Sequence, residues 1–146
     1  MVKLITVHGT NAGRDADEGE QWWQHGSFFQ KRLAALLDFE GAGVQWVPFH
    51  WKNGPNSELE RRAAGQRLLS QLLDYEKAGE RYFVIGHSHG GSVVHHALLW
   101  AATWNRELAG LARWVTIGTP FIVWAEPGWW WRSLYLRMSG FRRIVA

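Results

Sequence analysis

Gly86-His87-Ser88-His89-Gly90 sets a serine between two glycines at the spacing G-x-S-x-G. A serine in that frame can act as a nucleophile toward an acyl carbonyl. The pattern alone is common, and its setting gives it weight. Tyr82–Ile85 before it reads as a short buried strand, and Val93, Val94, Ala97, Leu98 and Ala101 after it recur at helical spacing. So sharp a strand-to-helix turn strains the serine backbone, and glycine two residues to either side removes side chains that would collide. Ser88 then stands at a helix N-terminus, where unpaired N–H groups and the helix dipole favour developing negative charge. The competing reading is a tight turn whose serine only caps the helix.

An oxyanion formed at that carbonyl needs two N–H donors. One is the amide of His89, the residue after the nucleophile. The other is expected from the loop after an earlier strand, Val7-His8-Gly9-Thr10, with Thr10 as the donor. The plain alternative there is a strand end that needs glycine for its turn. His8, Gly9, His50 and His87 are expected to line the same site.

A general base must come within hydrogen-bond reach of the serine hydroxyl. After Ser88 the chain has no Asp, only Glu107 and Glu126, and its later histidines are His89, His95 and His96. His89 adjoins the nucleophile and is expected to point elsewhere. His95 and His96 fall two turns into the helix that leads away. His8 and His50, at strand ends, and His25 more remotely are the other imidazoles. Asp15, Asp17, Glu18 and Glu20 either fringe the pocket or form solvated surface. The base and acid stay unassigned.

The elements that must position these residues alternate along the chain. Lys3–Val7, Val44–Phe49, Tyr82–Ile85 and Trp114–Ile117 read as strands. Ser27 with Gln30 has capping-box spacing and opens a helix whose apolar face is Phe29, Leu33, Leu36 and Leu37, with Gly41 as its stop. Ser57 with Glu60 opens a longer helix with the stripe Leu59, Ala63, Leu69, Leu72 and Leu73, running toward Gly79. The order β-α-β-α-β-α-β predicts an α/β fold, a parallel sheet in spatial order 2-1-3-4 flanked by helices. Ligands bind at the carboxyl ends of such strands, so His8-Gly9-Thr10, His50-Trp51, Gly86-His87-Ser88 and Gly118-Thr119-Pro120 should converge on one edge.

Together, Val7-His8-Gly9-Thr10, Gly86-His87-Ser88-His89-Gly90-Gly91 and Thr116-Ile117-Gly118-Thr119-Pro120 resemble, in this order, the α/β-hydrolase superfamily and its lipase-like and esterase-like branch. The likeness spans about residues 2–120. It implies an eight-stranded parent fold of which this chain supplies the central four strands, third to sixth, as a truncated hydrolase-like core. It also implies carboxylic-ester hydrolysis by Ser88, with an acid after a later strand and a histidine after the last. No residue here matches those two positions. The segment 49–57 also resembles bacterial members of the superfamily.

Composition narrows the alternatives. One domain fits 146 residues, and 47% hydrophobic with 20% charged residues describes a globular chain. Without cysteine there is no disulfide, thiolate nucleophile or thiolate metal site. No histidine spacing is H-x-x-x-H with a nearby Glu, and His95 and His96 project about 100° apart on a helix, so no metal is expected. No phosphate-binding glycine motif appears, so no cofactor is expected either. Neither a secretory signal nor an apolar run long enough to span a bilayer is present, which gives a cytoplasmic expectation.

The net charge of +3 lies wholly in residues 121–146, where Arg132, Arg137, Arg142 and Arg143 face only Glu126. That confinement argues against nucleic acid as a partner. The division is a hydrolase-like core, 1–120, and a Trp/Arg-rich tail, 121–146, which is not a separate domain. Within 129–146, Trp130, Trp131, Leu134, Tyr135, Met138, Phe141 and Val145 share one helical arc, with Arg132, Ser139 and Arg143 opposite. Trp and Arg on a short amphipathic helix suit peripheral contact with a membrane surface. The alternatives are a helix that covers the sheet edge and the stub of a longer protein. Two functional readings follow. One is an esterase acting on a small-molecule or lipid ester. The other is a catalytically inactive or truncated hydrolase-like domain that binds, at a membrane surface. Open sheet edges also predict homo-oligomers.

Overall fold

Val2–Val7 (β1), Val44–Phe49 (β2), Tyr82–His87 (β3) and Leu111–Ile117 (β4) are the strands, rich in Val, Ile, Trp, Tyr and Phe. A computed structural model describes residues 2–12, 16–36, 43–51 and 57–121 of the chain. Asp15, the expected helix end at Leu37 and Gly41, the turn at 52–56 and the segment 122–146, with its amphipathic stretch 129–146, lie outside the described residues.

The strands form one parallel sheet in the order β2-β1-β3-β4, as the alternation predicts. Its register puts Phe49, Val7, Gly86 and Thr116 in one row across the sheet. The next residue on each strand is His50, His8, His87 or Ile117, so three histidines stand abreast where the strands end. The four strand ends do converge.

Phe28–Leu36 (α1), Glu58–Lys77 (α2) and His89–Thr103 (α3) connect the strands. Both predicted helix starts use their serines. The Ser27 hydroxyl accepts from the Gln30 amide at 3.1 Å and the Ser57 hydroxyl from the Glu60 amide at 3.4 Å. The return bond of the first box goes one residue further out, from the Gly26 amide to the Gln30 side chain. Gly79 takes φ +65 just beyond α2, as a helix stop requires.

Helices α2 and α3 cover one face of the sheet over Ile5, Val7, Val84 and Tyr82, while α1 covers the other over Leu4, Trp46 and Ile85. Two apolar stripes differ from expectation. Leu59 is 77% exposed, and α2 instead buries Arg61, Ala64, Gly65, Leu68, Leu69 and Leu72. Close packing decides this orientation. A Cβ on Gly65 would stand 2.6 Å from the His96 Cβ, so α2 turns its smallest residue toward α3. In α1, Leu36 is 68% exposed and the packing falls to Phe29 and Leu33. Beyond α1's cover, Val115 and Ile117 on edge strand β4 are about half exposed, at 50% and 47%. Among the described residues, no helix is long and apolar enough to cross a membrane.

Candidate active site

Ser88 occupies the one-residue turn between β3 and α3, with φ 52 and ψ −130. That conformation is costly for a residue with a side chain and persists only where its surroundings enforce it. The enforcement is visible. The Ser88 amide donates to the Ile117 carbonyl at 2.8 Å, and the Gly91 amide donates to the Ser88 carbonyl at 3.0 Å. The flanking glycines carry the fit the motif predicted. A Cβ on Gly86 would lie 2.7 Å from the Gly91 Cα, and one on Gly90 would overlap the carbonyls of Val7 and His8. Ser88 therefore does not serve as an ordinary helix cap, and its side chain makes no capping hydrogen bond.

Gly90 at that close approach brings the first turn of α3 against the end of β1. His89, the first residue of α3, is thereby set beside Thr10, and the Thr10 hydroxyl and His89 Nδ1 share a hydrogen bond of 3.1 Å. Burial, then the charge of Arg61, lowers the His89 pKa against the opposing pull of Glu58, so its ring stays neutral at neutral pH. The ring of His89 turns toward the loop that follows β1. Asn11, next to Thr10, adopts φ 57 and closes the turn.

His8 is fully buried and donates from Nδ1 to the Gly9 carbonyl at 2.8 Å. Its ring stacks on Trp51 and leans on Trp23, and the Trp51 indole N–H donates to the His8 carbonyl at 2.7 Å. His8 is built into the wall. His87 is exposed and meets the edge of Trp22.

His50 holds a pairing that the sequence did not reveal. Its Nε2–H donates to the Asp17 carboxylate at 2.5 Å, across 33 residues. A histidine oriented by a carboxylate supplies two of the three members of a catalytic triad. His50, however, stands just past the end of β2, two strand spacings or about 10 Å of sheet from the strand that leads to Ser88. The ring packs against Trp23 and His8, and its Nδ1 is buried without a hydrogen-bond partner. Glu18 and Glu20 lie exposed in the same loop, in keeping with the solvated reading, and the candidate base His25 is exposed there too. Among the described residues, no imidazole hydrogen-bonds the Ser88 hydroxyl.

A second cluster also escaped the sequence reading. Glu58 accepts from buried Arg61 at 2.9 and 3.0 Å, from Arg62 at 3.0 Å and from His96 at 2.9 Å. Partial burial raises the Glu58 pKa, but hydrogen bonds from Arg62 and Arg61 outweigh it and hold the carboxyl below its ordinary value. His96 is thus bound to Glu58, and His95 packs against Phe121. A glutamate in the first turn of a helix gives no sequence signal of this role. No group of three metal-ligating side chains exists among the described residues.

Chemically, the site offers a partly buried serine in a strained conformation at a helix N-terminus, with the end of β1 and the first turn of α3 packed beside it. No family model, curated protein or solved structure matches this chain.

Proposed function

We propose that this chain is a lipase-like or esterase-like serine hydrolase of the α/β-hydrolase type. The carrying observation is Ser88, held at φ 52 between β3 and α3 with Thr10 and His89 beside it. In this reading the Ser88 oxygen attacks the carbonyl carbon of a carboxylic ester. The carbonyl π electrons move onto its oxygen, which the amides of Thr10 and His89 stabilise. Collapse expels the alcohol and leaves an acyl-serine, and water then releases the acid and restores the hydroxyl. The residues that take and return the proton are unassigned. Turnover should accordingly be slow, since a triad enzyme stripped of a member keeps only about a thousandfold over water. The substrate is a small-molecule or lipid ester.

A fluorophosphonate probe followed by peptide mapping, with p-nitrophenyl butyrate turnover, tests the reading. Labelling at Ser88 and loss of turnover in Ser88→Ala support it. Equal turnover by wild type and Ser88→Ala overturns it.

The second reading is a catalytically inactive domain that binds at a membrane surface from the cytoplasmic side. It is favoured by the absence of an imidazole bonded to Ser88 among the described residues, and by the four tail arginines. Homo-oligomers through the β4 edge belong to either reading, supported by exposed Val115 and Ile117. Sedimentation velocity of Ile117→Lys against wild type checks them, with dissociation expected.

A further inference from the structure

We propose that the side chains of Thr10 and His89 form the brace that sets the width of the oxyanion hole, which makes both residues positioning groups as well as amide donors. The inference rests on the reading of Ser88 as nucleophile.

The two amides come from unrelated parts of the chain, a turn after β1 and the first residue of α3. Useful donors must lie within about 2.7–3.1 Å of the developing oxyanion, with a tolerance of about half an ångström. The α3 side of the hole is fixed, because Gly90 packs on the carbonyls of Val7 and His8 and the Ser88 amide is tied to Ile117. The Thr10 side is a loop, and loops move more than the elements they join. No backbone hydrogen bond ties Thr10 to His89 among the described residues. The side-chain bond of 3.1 Å between them, across 79 residues, is the hydrogen bond that couples Thr10 to the helix.

The chemistry of the pair suits that task. Threonine is stiff about χ1, so fixing its hydroxyl also fixes its backbone, including the N–H. The Thr10 hydroxyl can donate or accept, so it can pair with either tautomer of the His89 ring at Nδ1. Arg61, which helps keep that ring neutral, is itself buried and held by Glu58.

Steady-state turnover of p-nitrophenyl butyrate by full-length variants tests the brace, with urea unfolding to confirm that each variant is folded. Thr10→Val keeps shape and removes the hydroxyl. It should lower kcat about 10- to 100-fold, less than or equal to the loss of one donor, while KM changes less than about twofold. Thr10→Ser should recover most of kcat. His89→Leu should cost as much as Thr10→Val, and the double variant should cost no more than either alone. An unchanged kcat in Thr10→Val, additive losses in the double variant, or equal losses in Thr10→Ser and Thr10→Val would overturn the brace alone. Turnover that survives Ser88→Ala, or no turnover at all, would overturn the nucleophile reading and the brace with it.

Discussion

Gly9 and Ser88 stand so close that a methyl group added to Gly9 would lie 3.0 Å from the Ser88 Cβ and 3.2 Å from the His87 carbonyl oxygen. Both neighbours belong to the turn that carries the nucleophile candidate, and neither is the far end of a flexible side chain. Gly9→Ala must therefore push the loop away from Ser88. Overpacking of this kind costs about 1–3 kcal/mol. The shift should slow Ser88-dependent turnover by about 10- to 100-fold, since small misplacements of reacting groups are expensive. Urea unfolding and p-nitrophenyl butyrate kinetics measure the two effects, and an alanine variant matching wild type in both would show that the approach is unimportant.

Ser88 itself should trade stability for function. Its φ of 52 and ψ of −130 hold about 1–3 kcal/mol of strain. Ser88→Gly relieves that strain, against about 0.4–1 kcal/mol from the freer unfolded chain. The glycine variant should thus be inactive and more stable than wild type by about 1 kcal/mol. Ser88→Ala keeps the strain and loses no capping bond, so its stability should stay within about 0.5 kcal/mol of wild type. Urea midpoints for the three proteins decide it; a glycine variant less stable than the alanine one would show that the turn is unstrained.

Much of this was legible because local rules and topology agree. Alternation of short apolar runs with capped helices specifies a parallel sheet, and G-x-S-x-G at a strand end specifies the turn at Ser88. The stripes of α1 and α2 were less legible, because their orientation depends on how near Gly65 lets α3 come rather than on the largest apolar residues. Asp17 with His50 and Glu58 with His96 were not legible at all. Each joins residues more than 30 positions apart. Only tertiary packing, across the strand ends for the first pair and between α2 and α3 for the second, brings them together, and each residue alone reads as solvated surface, a strand end or part of a helix.

Acid should destabilise the fold in two stages. Burial lowers the pKa values of His95 and His96, outweighing Glu58, which raises both. The unfolded chain takes up these protons near the ordinary value of 6.5, whereas the folded chain resists them. The stability they permit is therefore full above about pH 6.5 and falls as the pH drops toward the folded-state values. Glu58 shifts downward in the fold, so its contribution is kept above its ordinary 4.5 and lost below that as it protonates. Urea midpoints should be level between pH 7 and 8, decline from 6.5 to 5, and decline further toward pH 4. Midpoints that rise on acidification to pH 5 would contradict the burial of these histidines.

The tail makes the most specific electrostatic claim. If residues 129–146 lie on a membrane, their four arginines should make binding require anionic lipid and weaken with salt. Each basic residue near such a surface contributes about 1 kcal/mol and is screened over a Debye length of about 8 Å at physiological salt. Truncation after Pro127 removes all four and leaves a body with one excess negative charge. Full-length protein should then co-sediment with phosphatidylserine-containing vesicles at low salt and dissociate as salt rises, while the truncated form stays in solution. A tail that instead covers the apolar strip at Val115 and Ile117 predicts the opposite pattern. The full-length protein would ignore both vesicle types, and truncation would lower the unfolding midpoint or cause aggregation. Equal sedimentation of the two forms would reject the membrane reading.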